Sequence, residues 1–318
     1  MRPVPFARAT RLHLGDEIAV IATSSPLEAG DDAIAEDLVR SLGLVPTLFA
    51  SVGASGPASF LAGPDEVRAG DVAAAWCDDR FAAVWSARGG YGAARMLDLI
   101  DWDRCRAARP KVMLGYSDVT CVHEAVAAKL GLASLHAPML GSTRVRDSPE
   151  MVAHLRSVLF TPDSDDAMDL VGPARTTAVV GGRAVGWVTG GNLSVLASTI
   201  GSRTALPSRD GAIAFLEDVT EEPYRIDGYL TSLLRSGWFD GVVGVALGDF
   251  TECGPKEDKA NPAQAIEVCA ERLGRLGVPI LSGIPIGHGE SNRTLGLGIP
   301  AELDADDGTF RLTDPALL

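Results

Sequence analysis

Between residues 18 and 131 the chain alternates short apolar runs with amphipathic stretches, and few folds accommodate that order. IAVIATSS (18–25), VPTLFA (45–50), FAAVWSA (81–87) and KVMLG (111–115) are apolar runs of strand length. Between them lie DDAIAEDLVRSLG (31–43), PDEVRAGDVAAAWCDD (64–79) and AARMLDLID (93–101), and DVTCVHEAVAAKLG (118–131) follows; all four have helical periodicity. Acidic residues or Pro open several of these helices, and Gly43 and Gly131 stop two of them. A strand with apolar residues on both faces must be covered on both faces, and helical crossovers do this for parallel strands. The pattern therefore predicts an α/β domain with a largely parallel sheet.

The periodicity lapses at TPDSDDAMDLVGPARTTA (161–178), a polar, acidic stretch. A single core stops growing near roughly 250–300 residues, so 318 residues suit two. The expected division is residues 1–160, a linker at 161–178, and a smaller mixed, β-containing domain over 179–318. The second domain holds strand-like GAIAFLED (211–218), GVVGVALGDF (241–250) and VPILSGIPIG (278–287), with helices at 224–237 and 263–277. Its end, TLGLGIPAELDADDGTFRLT, reads as a hairpin turning at Asp-Asp-Gly. A net charge of -14 argues against a nucleic-acid polymer or an anionic membrane as partner, since both demand a basic face. The five cysteines are scattered without metal or redox spacing, so no metal or cofactor is expected. No signal-peptide pattern and no membrane-length apolar run is present, so a cytoplasmic enzyme is the expectation.

In KVMLGYSDVTCVHEAV a buried strand ends at Gly115 and a helix starts just after Ser117. Open α/β sheets put their chemistry at such strand ends, and the helix N-terminus offers free amides to a developing oxyanion. The site departs from the G-x-S-x-G elbow, because Val119 stands at the last position. An ordinary N-cap is the competing role for Ser117. Of five histidines, His288 lies between two glycines in a loop after a strand, which suits a mobile base; His136 and His123 are its rivals. Glu217, at the end of the run GAIAFLED, is the candidate carboxylate to orient an imidazole, with Asp218, Glu221 and Glu222 as neighbours able to serve. In ARGGYGAAR, Gly89 or Gly90 would supply one oxyanion amide and Asp118 the other; no Gly-Lys-Ser/Thr follows, so the loop is not a Walker phosphate cradle.

The segments IATSSP, ARGGYGAARMLDLID, KVMLGYSDVT, LHAPM, GGNLSVLASTIG, FLEDVTEEPYRIDGYL and PIGHGESN, in this order, resemble the LD-carboxypeptidases of the S66 serine-peptidase group. That group also holds microcin C7 self-immunity proteins. The resemblance spans residues 18–292 and implies a Ser–Glu–His triad at Ser117, Glu217 and His288. It also implies a flavodoxin- or amidotransferase-like first domain, a site between the domains, and a homodimer. Two positions depart from the pattern: Ala137 replaces a glycine, and Gly228 stands where Arg is common. The implied activity is release of a terminal D-amino acid from an L-centred residue of a muropeptide-like peptide, as in trimming murein tetrapeptide during cell-wall recycling. A carboxypeptidase must recognise a free carboxylate, and Arg88 beside the glycine loop is the candidate, an ion pair at the sheet edge being its other role. The alternatives are an immunity-type hydrolase of peptidyl or aminoacyl nucleotides and a non-catalytic peptide-binding module.

Overall fold

A computed structural model describes residues 6–56, 58–256 and 264–318. The first five strands are β1 (Glu17–Ile21), β2 (Val45–Leu48), β3 (Phe81–Ser86), β4 (Val112–Gly115) and β5 (Ser134–His136). Then come β6 (Asp169–Val171), β7 (Thr177–Val180), β8 (Arg183–Asn192), β9 (Ala212–Val219), β10 (Gly244–Thr251) and β11 (Ile280–Ser282). The last are β12 (Leu295–Leu297), β13 (Pro300–Asp304) and β14 (Thr309–Leu312).

The first sheet has the order β2-β1-β3-β4-β5-β12, with β1 to β5 parallel, as the alternation predicts. The strand order reverses at β1, so the crevice beyond the carboxyl ends of β1 and β3 is a topological switch point. Successive residues face opposite sides of a strand. Ile18, Val20, Trp85 and Leu114 accordingly join one buried cluster, while Ala19, Ile21, Val84 and Met113 join another.

The second sheet runs β6-β14-β13-β8-β9-β10-β11-β7, parallel from β8 to β11 and antiparallel at both flanks. It too is buried on both sides. Val188, Ile213, Phe215 and Ala246 belong to the cluster that holds Ile18 and Trp85, and Ala214, Leu216, Val245 and Leu247 belong to a third. One core thus runs from the first sheet into the second. The hairpin expected at the end is β13–β14.

Three expectations need correction. Residues 161–178 are not a free linker, because β6 and β7 start within them and close the two edges of the second sheet. Edge strands of three or four residues are too short to display an apolar alternation, which is why the stretch looked aperiodic. The helix expected across 93–101 splits into Ala93–Met96, a 3₁₀ turn and a new helix at Trp102–Ala107. Asp101 starts that new helix by accepting from the Arg104 amide at 3.0 Å. The third concerns β12, which leaves the second half of the chain and pairs antiparallel with β5. Of the helix expected across 263–277, Ala263 lies outside the described residues, and the helix runs Ala265–Leu273.

Candidate active site

β4 ends at Gly115, and the backbone turns through Ser117 with φ 60° before entering helix Thr120–Leu130. A non-glycine residue at positive φ is uncommon and is tolerated only where its surroundings hold it. Here they do. The Asp118 carboxylate accepts from the Ala93 amide at 2.8 Å, which ties the serine turn to the helix behind the glycine loop. Burial raises the Asp118 pKa above its ordinary value, with that amide, the Ser24 hydroxyl and Arg68 opposing.

The glycine loop lies directly against the serine. A Cβ at Gly89 would stand 3.3 Å from the Ser117 hydroxyl, and one at Gly90, whose φ is +104°, would stand 2.2 Å from the Ser25 oxygen. No larger residue fits at Gly90. Ser25 pins the loop by donating its amide to Gly89 O at 3.1 Å and accepting from the Tyr91 amide at 3.1 Å. Buried Arg68 completes the brace, donating to the carbonyls of Thr23 and Gly92. These contacts explain why IATSSP and ARGGYG occur together.

Glu217 is fully buried near the end of β9, and its Oε2 accepts from His288 Nδ1 at 2.7 Å. Burial would lower the imidazole pKa. The Glu217 hydrogen bond and charge, with Asp218, outweigh it, and the pKa lies above the ordinary value. The second Glu217 oxygen is buried without a hydrogen-bond partner among the described residues. The His288 loop is held at several points: Gly287 donates to Asn292 Oδ1 at 3.1 Å, Gly289 donates to Asp249 Oδ2 at 3.2 Å, and Arg144 Nη1 donates to the carbonyls of His288 (2.6 Å) and Gly289 (2.8 Å). Burial pushes Asp218 and Asp249 each up to about 6.

The serine side and the Glu–His side meet through a short chain of contacts. Asn192 is the register partner of Glu217 on the neighbouring strand, and its amide donates to Thr120 Oγ1 at 3.0 Å, in the first turn of the serine's helix. The ring of Tyr116, one residue before Ser117, lies 4.8 Å from the His288 ring. Among the described residues no hydrogen bond joins Ser117 to His288. A cleft of about 360 Å³ opens on the His288 side, walled by Tyr116, Arg144, Val219, Thr251, Glu252 and His288, with Ser117 and Glu217 outside its lining. A larger hollow of about 1110 Å³, walled by Trp187, Leu206 and Pro207, includes none of Ser117, Glu217 or His288.

The rival histidines are placed elsewhere. His136 is fully buried between Tyr116 and Phe215 with neither ring nitrogen paired among the described residues, and burial drives its pKa well below the ordinary value. His123 is buried against Gly115 O, and burial lowers it to about 4. Arg88 donates to Pro26 O at 2.9 Å and pairs with Glu28 at 3.1 Å. Arg144, Asp249 and Asn292 escaped the sequence reading. Among the described residues no group of three or more His, Cys, Asp or Glu side chains is arranged to hold a metal ion, and no helix is long and apolar enough to cross a membrane.

Family models describe the same two halves. That of the LD-carboxypeptidase N-terminal domain matches residues 18–137, and that of the C-terminal domain matches residues 185–303. A Streptomyces coelicolor protein bearing a carboxypeptidase name is 45% identical over 98% of both chains. The murein tetrapeptide carboxypeptidase of Pseudomonas aeruginosa is 33% identical, covering 78% of this chain and 80% of its own. The microcin C7 self-immunity protein solved with aspartyl sulfamoyl adenosine shares the fold, with TM-score 0.83, 22% identity and coverage of 98% and 100%.

Proposed function

This chain belongs to the S66 family of LD-carboxypeptidases, and on that premise we propose that it is a serine peptidase that releases a terminal D-amino acid from an L-centred residue of a murein-type peptide. The observation that carries the reading is the buried Glu217 carboxylate in contact with His288 Nδ1, beside a serine held at positive φ. That contact keeps the proton on Nδ1 and leaves Nε2 free to act as base.

In the proposed mechanism Ser117 Oγ attacks the scissile carbonyl while His288 Nε2 takes its proton, and Glu217 stabilises the imidazolium. The amide of Asp118, in a helix's first turn, and that of Gly90 are assigned to the oxyanion. His288 then protonates the leaving nitrogen, and water resolves the acyl-enzyme. The Ser117–His288 hydrogen bond forms on this reading when substrate fills the cleft, as catalytic hydrogen bonds often tighten only in the complex. A passive binding module would have no use for a strained serine beside a buried carboxylate–imidazole pair.

The test is hydrolysis of a murein tetrapeptide ending in D-alanine, run beside an aminoacyl sulfamoyl nucleoside of the class held by the related fold. Release of D-alanine is expected, with a loss on the order of 10⁴–10⁶ in Ser117→Ala at unchanged fold. Retained turnover in that variant would remove Ser117 as nucleophile, and cleavage of the nucleoside alone would assign the second substrate class.

A further inference from the structure

We propose that Arg144 forms the subsite for the free carboxylate of the leaving amino acid. The proposal rests on the carboxypeptidase reading above and identifies what makes the site an exopeptidase. In a leaving α-amino acid the carboxylate is one carbon away from the scissile nitrogen, which His288 protonates. A cation that reads this carboxylate must therefore sit next to His288. Arg144, on the short helix Thr143–Arg146, does so, with its Nη1 on the carbonyls of His288 and Gly289.

The rest of the guanidinium is available. Its Nε and Nη2 have no partner among the described residues, and Arg144 walls the cleft together with Ser142 and Thr143. One edge of the planar group is fixed by the loop, so the other is presented at a set angle, which suits a carboxylate better than a flexible ammonium would. Elimination points the same way. Arg88, the residue expected from the sequence, is occupied by Pro26 O and Glu28. Among the described residues that wall the cleft, Arg144 is the one Lys or Arg. Glu217 and Asp218 act on the neighbouring His288, Asp249 is within electrostatic reach of both His288 and Arg144, and Glu252 walls the cleft, in a chain of net charge -14.

A purely structural Arg144 would hold the His288 loop and act through the imidazole, lowering kcat. A carboxylate subsite acts on binding. The experiment measures calorimetric binding of a murein tetrapeptide and of its C-terminal amide to Ser117→Ala, and to the same protein with Arg144→Met or Arg144→Lys. The acid is expected to bind more tightly than the amide by on the order of 10–100-fold, from charge-assisted hydrogen bonds. Arg144→Met should abolish that preference, and Arg144→Lys should restore part of it. With Ser117 intact, Arg144→Met should raise KM for the acid by a similar factor, a change that loss of the two hydrogen bonds to the His288 loop would not by itself produce. Equal binding of acid and amide overturns the subsite, as does a preference that survives in Arg144→Met, a kcat loss at unchanged KM, or absence of tetrapeptide binding. Binding with the expected preference but no cleavage by the native protein would instead overturn the proposed reaction and leave the subsite standing.

Discussion

The helix that follows Ser117 is anchored to the second sheet's side of the molecule by an ion pair in which little is exposed to water. Glu124 and Arg209 pair with side chains 4% and 6% exposed. Thr199 Oγ1 donates to the other Glu124 oxygen at 2.8 Å, and the guanidinium lies 4.1 Å above the Trp238 ring and donates to Leu206 O at 3.2 Å. Glu124→Gln keeps the shape and one acceptor but strands the cation. Removing one partner of a buried pair costs about 3–5 kcal/mol. Trp238 and Leu206 still hold the guanidinium, so the expected loss is at the lower end, about 3 kcal/mol. Removing both charges in Glu124→Gln/Arg209→Met should cost less than the sum of the two single changes, with a coupling energy on the order of 2 kcal/mol. Urea unfolding followed by tryptophan fluorescence reads this directly, since Trp238 lies against the pair, and midpoints are comparable at equal slope. A Glu124→Gln penalty below about 1 kcal/mol, or a cycle additive within about 0.5 kcal/mol, would refute the reasoning.

Because Glu217 holds the His288 pKa above its ordinary value, near 6.5, the base stays protonated to higher pH, and the acid limb of kcat/KM should lie above that pH. Glu217→Gln removes the largest raising contribution and leaves burial, so the limb should move to lower pH while the plateau falls about 10⁴-fold; a limb that moves up in a pH–rate profile contradicts the assignment. Gly191→Ala would put a methyl 2.6 Å from Thr120 Oγ1 at φ +139°, and calorimetric melting should show a loss of about 1–3 kcal/mol together with reduced turnover. His136→Leu should keep activity within about 10-fold, whereas His288→Ala should lose on the order of 10⁵-fold, and a reversed ranking in the peptide assay would identify the wrong imidazole.

The parallel first sheet was legible because strands buried on both faces and amphipathic helices leave opposite signatures in sequence. Ser117, Glu217 and His288 were legible as candidates for a related reason: each stands near or beyond the end of a strand, where an apolar run gives way to polar residues. Arg144 was not, since an arginine in STRVRD looks like any solvated arginine until the His288 loop is folded against it. Asp249 has the same history, as its task depends on the Gly289 amide 40 residues away. Arg88 was misleading because proximity along the chain to the glycine loop says nothing about Glu28, which occupies it. Periodicity reports what an element buries, whereas these three roles depend on which loop lands on which.

The strand taken from the far end of the chain also bears on how the molecule is made. Leu295–Leu297 close the sheet that carries the serine, and Leu318 pairs through its backbone with Ala9 and Arg11. Until residue 297 has left the ribosome, β5 presents an unpaired flank, and such flanks invite association with other chains. A nascent polypeptide halted at residue 178 is therefore expected to aggregate, although it already holds every residue of the first five strands. The nucleophile's own scaffold is whole only once Leu295–Leu297 have been made and have paired with β5.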